Sequence, residues 1–177
     1  MKRTFPITLI LIVLISCKLT IMGQESDFEM LDDSINLYAF IGEKIAVIEF
    51  DPNENNTRIE IDLITGDTIK RVSYVMDNAF KCKYKVIKNI FNNLKTDTIE
   101  FVSYNHYGRP GFENYKNVIL YISLNEEKGN YYHQKYQFDP VENVKNRFWK
   151  GMKGESIEEL FNEKKTGVFT ARKLFDK

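Results

Sequence analysis

The 177-residue chain carries 25 basic and 25 acidic side chains, so it is formally neutral and builds no broad field to gather nucleic acid. Its length suits one domain with a substantial core and is too short for two comfortable ones. Aromatic residues make up 14%, with 13 Phe and 10 Tyr, and flat rings pack well on pleated faces, which tilts the composition toward β structure.

Lys2 and Arg3 form a basic start, and Thr4 to Ser16 follow as an uncharged apolar run too short for a transmembrane helix. This is the layout of an export signal, and it has two candidate ends. "LISC" (Leu14 to Cys17) resembles the lipobox of bacterial lipoproteins. That resemblance implies removal of residues 1–16 and acylation of Cys17, whose several acyl chains would hold the protein on a membrane of the cell envelope. The other end is an ordinary cut after Gly23, which leaves Gln24 first and a soluble periplasmic or secreted protein. Either route removes Lys2 and Arg3, leaving 25 − 2 = 23 basic residues against 25 acidic ones if the cut precedes Cys17. Either route also leaves Cys82 with no partner in the chain. An exported domain normally pairs its cysteines, so a lone one reads as buried and inert.

Residues 17–33 are polar and aperiodic and read as a tether, which leaves 34–177 as one domain. "AFIGEKIAVIEF" (Ala39 to Phe50) reads as a strand bent by a bulge at Gly42. "DPNENN" (Asp51 to Asn56) is turn chemistry. "RIEIDL" alternates, with Ile59, Ile61 and Leu63 on one face, and "TGD" (Thr65 to Asp67) turns the chain again. "FKCKYKV" puts Phe80, Cys82, Tyr84 and Val86 inward and Lys81, Lys83 and Lys85 outward. "DTIEFVSY" (Asp97 to Tyr104) is a further strand. "VILYISL" (Val118 to Leu124) is apolar throughout, as a strand covered on both faces would be. "EEKGN" (Glu126 to Asn130) leads into "YYHQKYQF", where Tyr132, Tyr136 and Phe138 share one face and His133 and Lys135 the solvent face.

The end of the chain is helical. Ser156 and Glu159 form a capping box, Ile157, Leu160 and Phe161 share a helical face, Lys164 and Lys165 complement the dipole, and Gly167 is placed to stop the helix. This predicts a helix over about 156–166. "VFTARKLF" (Val168 to Phe175) reads equally as strand or as a further helical turn. The whole is mainly β, expected as a five-stranded OB-like antiparallel barrel with a short C-terminal α-helix.

From Ala39 to about Pro140 the order of pieces resembles the OB-fold barrels of the tissue-inhibitor-of-metalloproteinases and netrin-like group. "AFIGEKIAVIEF" resembles its long first strand, "AFKCKYKVIKNIF" with "DTIEFVSY" its strand–connection–strand, and "GFENYKNVILYISL" the entry to its fourth strand. The resemblance implies the fold. The inhibitory function of that group depends on a free N-terminal cysteine within a disulfide framework, and this chain lacks that framework.

"YNHYGRPGF" is the densest candidate for chemistry. In it Arg109 could bind an anion, with Tyr104, Tyr107 and Phe112 as stacking surfaces and His106 as a further member of the binding loop. The competing reading is a turn, with Gly108, Pro110 and Gly111 shaping the bend and the aromatics plugging the sheet end. His106 with Asp97 or Glu113 is the basis of a small-hydrolase alternative. "DPNENNTRIEID" resembles a calcium loop through Asp51, Asn53, Asn55 and Asp62, but Asn56 replaces the turn glycine, so a hairpin loop is the better reading. Lys81, Lys83, Lys85 and Lys88 form a basic stripe that suits a solvated strand face. No metal spacing, nucleophile elbow or phosphate loop occurs, so no catalytic residue, metal or cofactor is assigned. The expectation is a non-enzymatic binding or interaction module with an envelope protein as partner and no nucleic acid. The inhibitor of a secreted hydrolase and the His106 hydrolase are its alternatives.

Overall fold

The computed structural model describes residues 28–54, 56–72, 74–144 and 148–175. The export signal, Cys17 and the Gly23–Gln24 junction lie outside the described residues.

Among the described residues, eight strands and one α-helix follow in chain order: β1 Tyr38–Phe50, β2 Thr57–Ile61, β3 Thr68–Val72, β4 Asn78–Phe91, β5 Thr98–Asn105, β6 Asn117–Asn125, β7 Asn130–Val144, β8 Phe148–Gly151 and α1 Ile157–Lys164. Six of them form one sheet in the order β5-β4-β1-β6-β7-β8, with antiparallel neighbours. β5 and β7 also meet in parallel through Phe101–Tyr131 and Val102–Tyr132, so strands four places apart in that order touch. β2 and β3 form a separate two-stranded sheet. The fold is thus mainly β with one short C-terminal helix, as expected. Beyond the five strands anticipated, β8 joins the main sheet from the polar stretch after Pro140.

Two apolar clusters flank the sheet, and β1 and β6 serve both. Phe40, Val118, Leu120 and Ile122 join Phe80, Cys82, Tyr84, Phe101 and Phe112 in one. Ala39, Ile41, Ile119 and Tyr121 join Phe91, Phe161 and Phe169 in the other, beneath the helix. β6 is therefore covered on both faces, as its unbroken apolar run predicts. β4 keeps the expected parity, with Phe80, Cys82 and Tyr84 buried and the lysines between them outside. β1 shifts register against β4 at Ile41/Gly42, where the bulge was expected.

The capping box forms as read: Ser156 Oγ accepts from Glu159 N, and the Glu159 carboxylate accepts from Ser156 N. Gly167 does not stop the helix. α1 runs on into a π-helical turn over Lys165–Phe169, and the following residues add a helical turn and no strand. Phe169 is fully buried with its ring 5.1 Å from that of Tyr121, a contact that outweighs the low helix propensity of the glycine before it.

Of the expected tether, Phe28 to Asp33 lies along the body. Phe28 packs on Phe161, and Met30 bridges to Phe91. This stretch is clasped by Asn92, a 2%-exposed side chain at φ 53°. Its Nδ2 donates to the carbonyls of Asp32, Ile35 and Leu37, and its Oδ1 accepts from Asp32 N.

The face shared by Ile59, Ile61 and Leu63 covers no core: they are 73%, 66% and 98% exposed on a hairpin that stands clear of the sheet. One parity reading is corrected. His133 is not on the solvent face. It is only 6% exposed, with its ring 4.7 Å from that of Phe112. The physical reason is a large bulge: His133 opposes Ile122 and Phe138 opposes Leu120, so four residues of β7 stand against Tyr121 alone, with Tyr136 at φ 67°. The bulge breaks the period-two count across that strand and separates Phe138, which packs inward, from the exposed Tyr132 and Tyr136.

Candidate functional site: the end of β5 and the cleft beside it

The residues of "YNHYGRPGF" do not converge on one point. Phe112 is 1% exposed, inside the cluster between the sheet faces. Arg109 is spent on its own fold. Its Nε and Nη2 hold the Glu113 carboxylate at 2.6 and 2.8 Å, Nη2 also donates to the Val47 carbonyl, and the guanidinium lies over the Phe80 ring. The Glu113 bond raises the Arg109 pKa further. An incoming anion would have to displace a bidentate carboxylate. Gly108, at φ 89°, and Pro110 turn the chain into a short 3-10 helix over Gly111–Asn114, the structural role weighed above.

His106 meets neither Asp97 nor Glu113. Its Nδ1 stands 3.2 Å from Asp77 Oδ1, on the connection that enters β4. Lys135, from the β7 bulge, donates to Asp77 Oδ2 at 2.6 Å. That bond, more than His106, holds the Asp77 carboxyl below the usual carboxylate range. Tyr107 is almost fully exposed and stacks on Tyr136 at 6.4 Å. This cluster ties three segments of chain together at one sheet end.

Burial shifts the inward titratable groups toward their neutral forms. Burial pushes the Cys82 thiol up to about 12 and brings His133 down to about 4. His133 Nε2 lies 2.7 Å from the Gln137 carbonyl, an acceptor, so the proton is assigned to Nε2. Desolvation raises Asp139 despite its bonds to Tyr121 and Lys164. Each of these groups is inward and partnered, the setting of a structural role. Among the described residues no group of three His, Cys, Asp or Glu side chains is placed to hold a metal ion, and no helix is long and apolar enough to cross a membrane.

The feature that sequence reasoning missed is an open cleft of about 370 Å³ on the outer face of β1, β4 and β5. Ala46, Ile48, Val102 and Tyr131 supply its apolar lining, and Lys81, Lys83 and Glu100 its charged side. Lys83 and Glu100 pair across β4 and β5 at 2.8 Å, which lowers the Glu100 pKa. Lys81 lies over the Phe50 ring. A second hollow of about 350 Å³ shares Val102 and Asn130 with the first and adds Tyr104, Leu124, Lys128 and Tyr132. The two hollows meet at Val102 and Asn130, and the groove they outline carries tyrosines, amides and lysines beside its apolar residues. Tyr104 is the expected binding residue that lines it. The signal available in the sequence was the outward parity of Lys81, Lys83, Glu100 and Val102, which parity alone could not assemble into a groove.

Comparison with protein-family models, with curated proteins and with solved structures returned no match.

Proposed function

We propose that the chain is an exported, lipid-anchored envelope protein that works as a non-enzymatic binding module, with the groove over β4 and β5 as its contact surface. The cleft walled by Ile48, Val102 and Tyr131 carries this reading. We also read β1, β4, β5, β6 and β7 as an OB-like barrel. Their order and the parallel β5–β7 contact are the pairings such a barrel needs. Small barrels of this type bind through the face of their second and third strands, which here are β4 and β5. The groove takes the place of the Arg109 loop, whose guanidinium is already held.

The address rests on the basic start, the apolar run and "LISC". Cys17 would carry the acyl chains, with the polar stretch after it leading to the body. An envelope protein partner fits an apolar groove with a lysine rim. The inhibitor reading stays an alternative through the resemblance alone. The hydrolase alternative draws on the His106–Asp77 contact, and Lys135 competes for that same carboxylate.

Two measurements test the proposal. Mass spectrometry of the mature N-terminus should find a triacylated or diacylated Cys17, and Cys17→Ser should move the chain to the soluble fraction. An unmodified chain beginning at Gln24 would sink the anchor. A photo-crosslinking residue at Val102, installed in cells, should give an adduct that one at Tyr107 does not. No adduct from Val102, Ile48 or Tyr131 would sink the groove.

A further inference from the structure

The β2–β3 hairpin stands exposed in solvent among the described residues. Every residue of β2 is exposed, and the hairpin tip carries Leu63 and Ile64 at 98% and 95% exposure. A lone two-stranded ribbon is marginal in water. This one has a firm base: Asn53 Nδ2 donates to the Val75 carbonyl while its Oδ1 accepts from Val75 N, which pins the chain where it leaves and rejoins the body.

The direction of its backbone groups can be worked out. Asp62 N donates to Asp67 O at 2.8 Å, so 62–67 is a hydrogen-bonded pair. Such pairs alternate along an antiparallel ladder, so Glu60–Ile69 and Arg58–Arg71 are bonded pairs too, within the register Ile59–Lys70 and Ile61–Thr68. Thr57, Ile59 and Ile61 therefore turn their N–H and C=O groups toward the edge of β2 that no other described strand pairs, a template for another strand.

We propose that a second copy of this chain pairs there, β2 against β2 in antiparallel, about a two-fold axis between the two Ile59 residues. The charges choose this occupant and this register. With Ile59 opposite Ile59, Arg58 of each copy stands opposite Glu60 of the other, on the face where Glu60 already meets its own Arg71 at 2.8 Å. The other face then gathers Ile59, Ile61 and Val72 from both copies, with Lys70 beside Ile59 on the outer strand of each. Moving the axis by one residue sets Arg58 against Arg58 or Glu60 against Glu60, which like-charge repulsion opposes. The free edge of β3 is blocked in the same way, because its matching two-fold pairing sets Lys70 against Lys70. Self-complementarity of this kind is what a two-fold interface requires. The proposal is independent of the groove on β4 and β5.

Sedimentation velocity of the purified mature chain tests it. The wild type should dimerise in a concentration-dependent way. Arg58→Glu and Glu60→Arg should each weaken self-association by about tenfold or more, since each turns two attractive pairs repulsive. An equimolar mixture of the two variants should form a heterodimer, because the variant charges complement each other in this register. Circular dichroism on each variant checks that the body stays folded. A wild type that stays monomeric up to its solubility limit overturns the proposal, as does a dimer that neither variant weakens. A mixture of folded variants that stays monomeric overturns the register. A monomer that instead sediments with phosphatidylcholine vesicles through Leu63 and Ile64 overturns it in favour of a lipid surface.

Discussion

Replacing Asn92 by alanine tests how the first described residues are held to the body. The side chain makes four polar contacts, three from Nδ2 and one to Oδ1, and Nδ2 has two protons to share among its three acceptors. About three net hydrogen bonds at about 1 kcal/mol each are lost on truncation. Ile35 O still accepts from Leu37 N, whereas the bond from Asn92 to Leu37 O is a buried one that alanine removes. The positive φ of 53° adds about 1 kcal/mol against alanine. Asn92→Ala should therefore cost about 4 kcal/mol, and Asn92→Gly about 1 kcal/mol less. Asn92→Asp keeps the acceptor, loses both donors and sets an anion among three carbonyls, so it should be no better than alanine. Urea unfolding of the mature chain reads these costs, and hydrogen exchange at Asp32 reads whether the Phe28–Leu37 stretch opens first. An Asn92→Ala cost below about 1 kcal/mol would refute the clasp. A glycine variant less stable than the alanine variant would refute the backbone argument.

Four further outcomes follow from other sites. The folded His133 sits at about 4 against 6.5 in the unfolded chain, so the unfolded state binds more protons in that window and stability falls as pH drops through it. The full loss is about 3 kcal/mol, read as the difference in pH dependence between wild type and His133→Phe, with Asp139 and Arg172 common to both. Gly42→Ala should cost about 1–3 kcal/mol in urea unfolding, because its Cβ would stand 3.0 Å from both Phe40 and Tyr84 ring carbons and 3.3 Å from Leu120. Cys82 should resist iodoacetamide at pH 8 while the chain is folded and react once guanidinium unfolds it, since burial keeps it a thiol. Arg109→Lys should lower the melting temperature almost as much as Arg109→Ala, because an ammonium cannot reproduce the two-pronged grip on Glu113 and the Val47 bond together.

Much of the sheet can be read from single strands, because burial there follows parity. The lysines of β4 alternate with Phe80, Cys82 and Tyr84, and the apolar run of β6 has no polar face to offer. The capping box also announces α1 from two residues. What parity cannot say is whether a face finds a partner. Ile59 and Ile61 alternate as cleanly as any core strand and yet stand in solvent. Nor can it survive a bulge: the four residues Gln134 to Gln137 opposite Tyr121 carry His133 and Phe138 to the same side. The fate of Arg109 was signalled by Glu113 four residues on, but the second hydrogen-bond acceptor, the Val47 carbonyl, comes from a strand 62 residues away. The groove was hidden for the same reason, being assembled from β1, β4, β5 and the start of β7 by long-range pairing.

The double duty of β1 sets an order of events. β1 contributes alternate residues to both apolar clusters, and one of those clusters is closed by Phe161 and Phe169 near the chain end. A chain that emerges N-terminus first has made all of β1, β4 and β6 before the residues that cover Ala39, Ile41 and Tyr121 exist. Half of the sheet's apolar surface thus waits, uncovered, for the last twenty or so residues. Loss of those residues by truncation would leave an open sheet face with Ile119 and Tyr121 at its centre, a ready surface for aggregation. The one short α-helix at the chain end is thus the element on which solubility during synthesis depends.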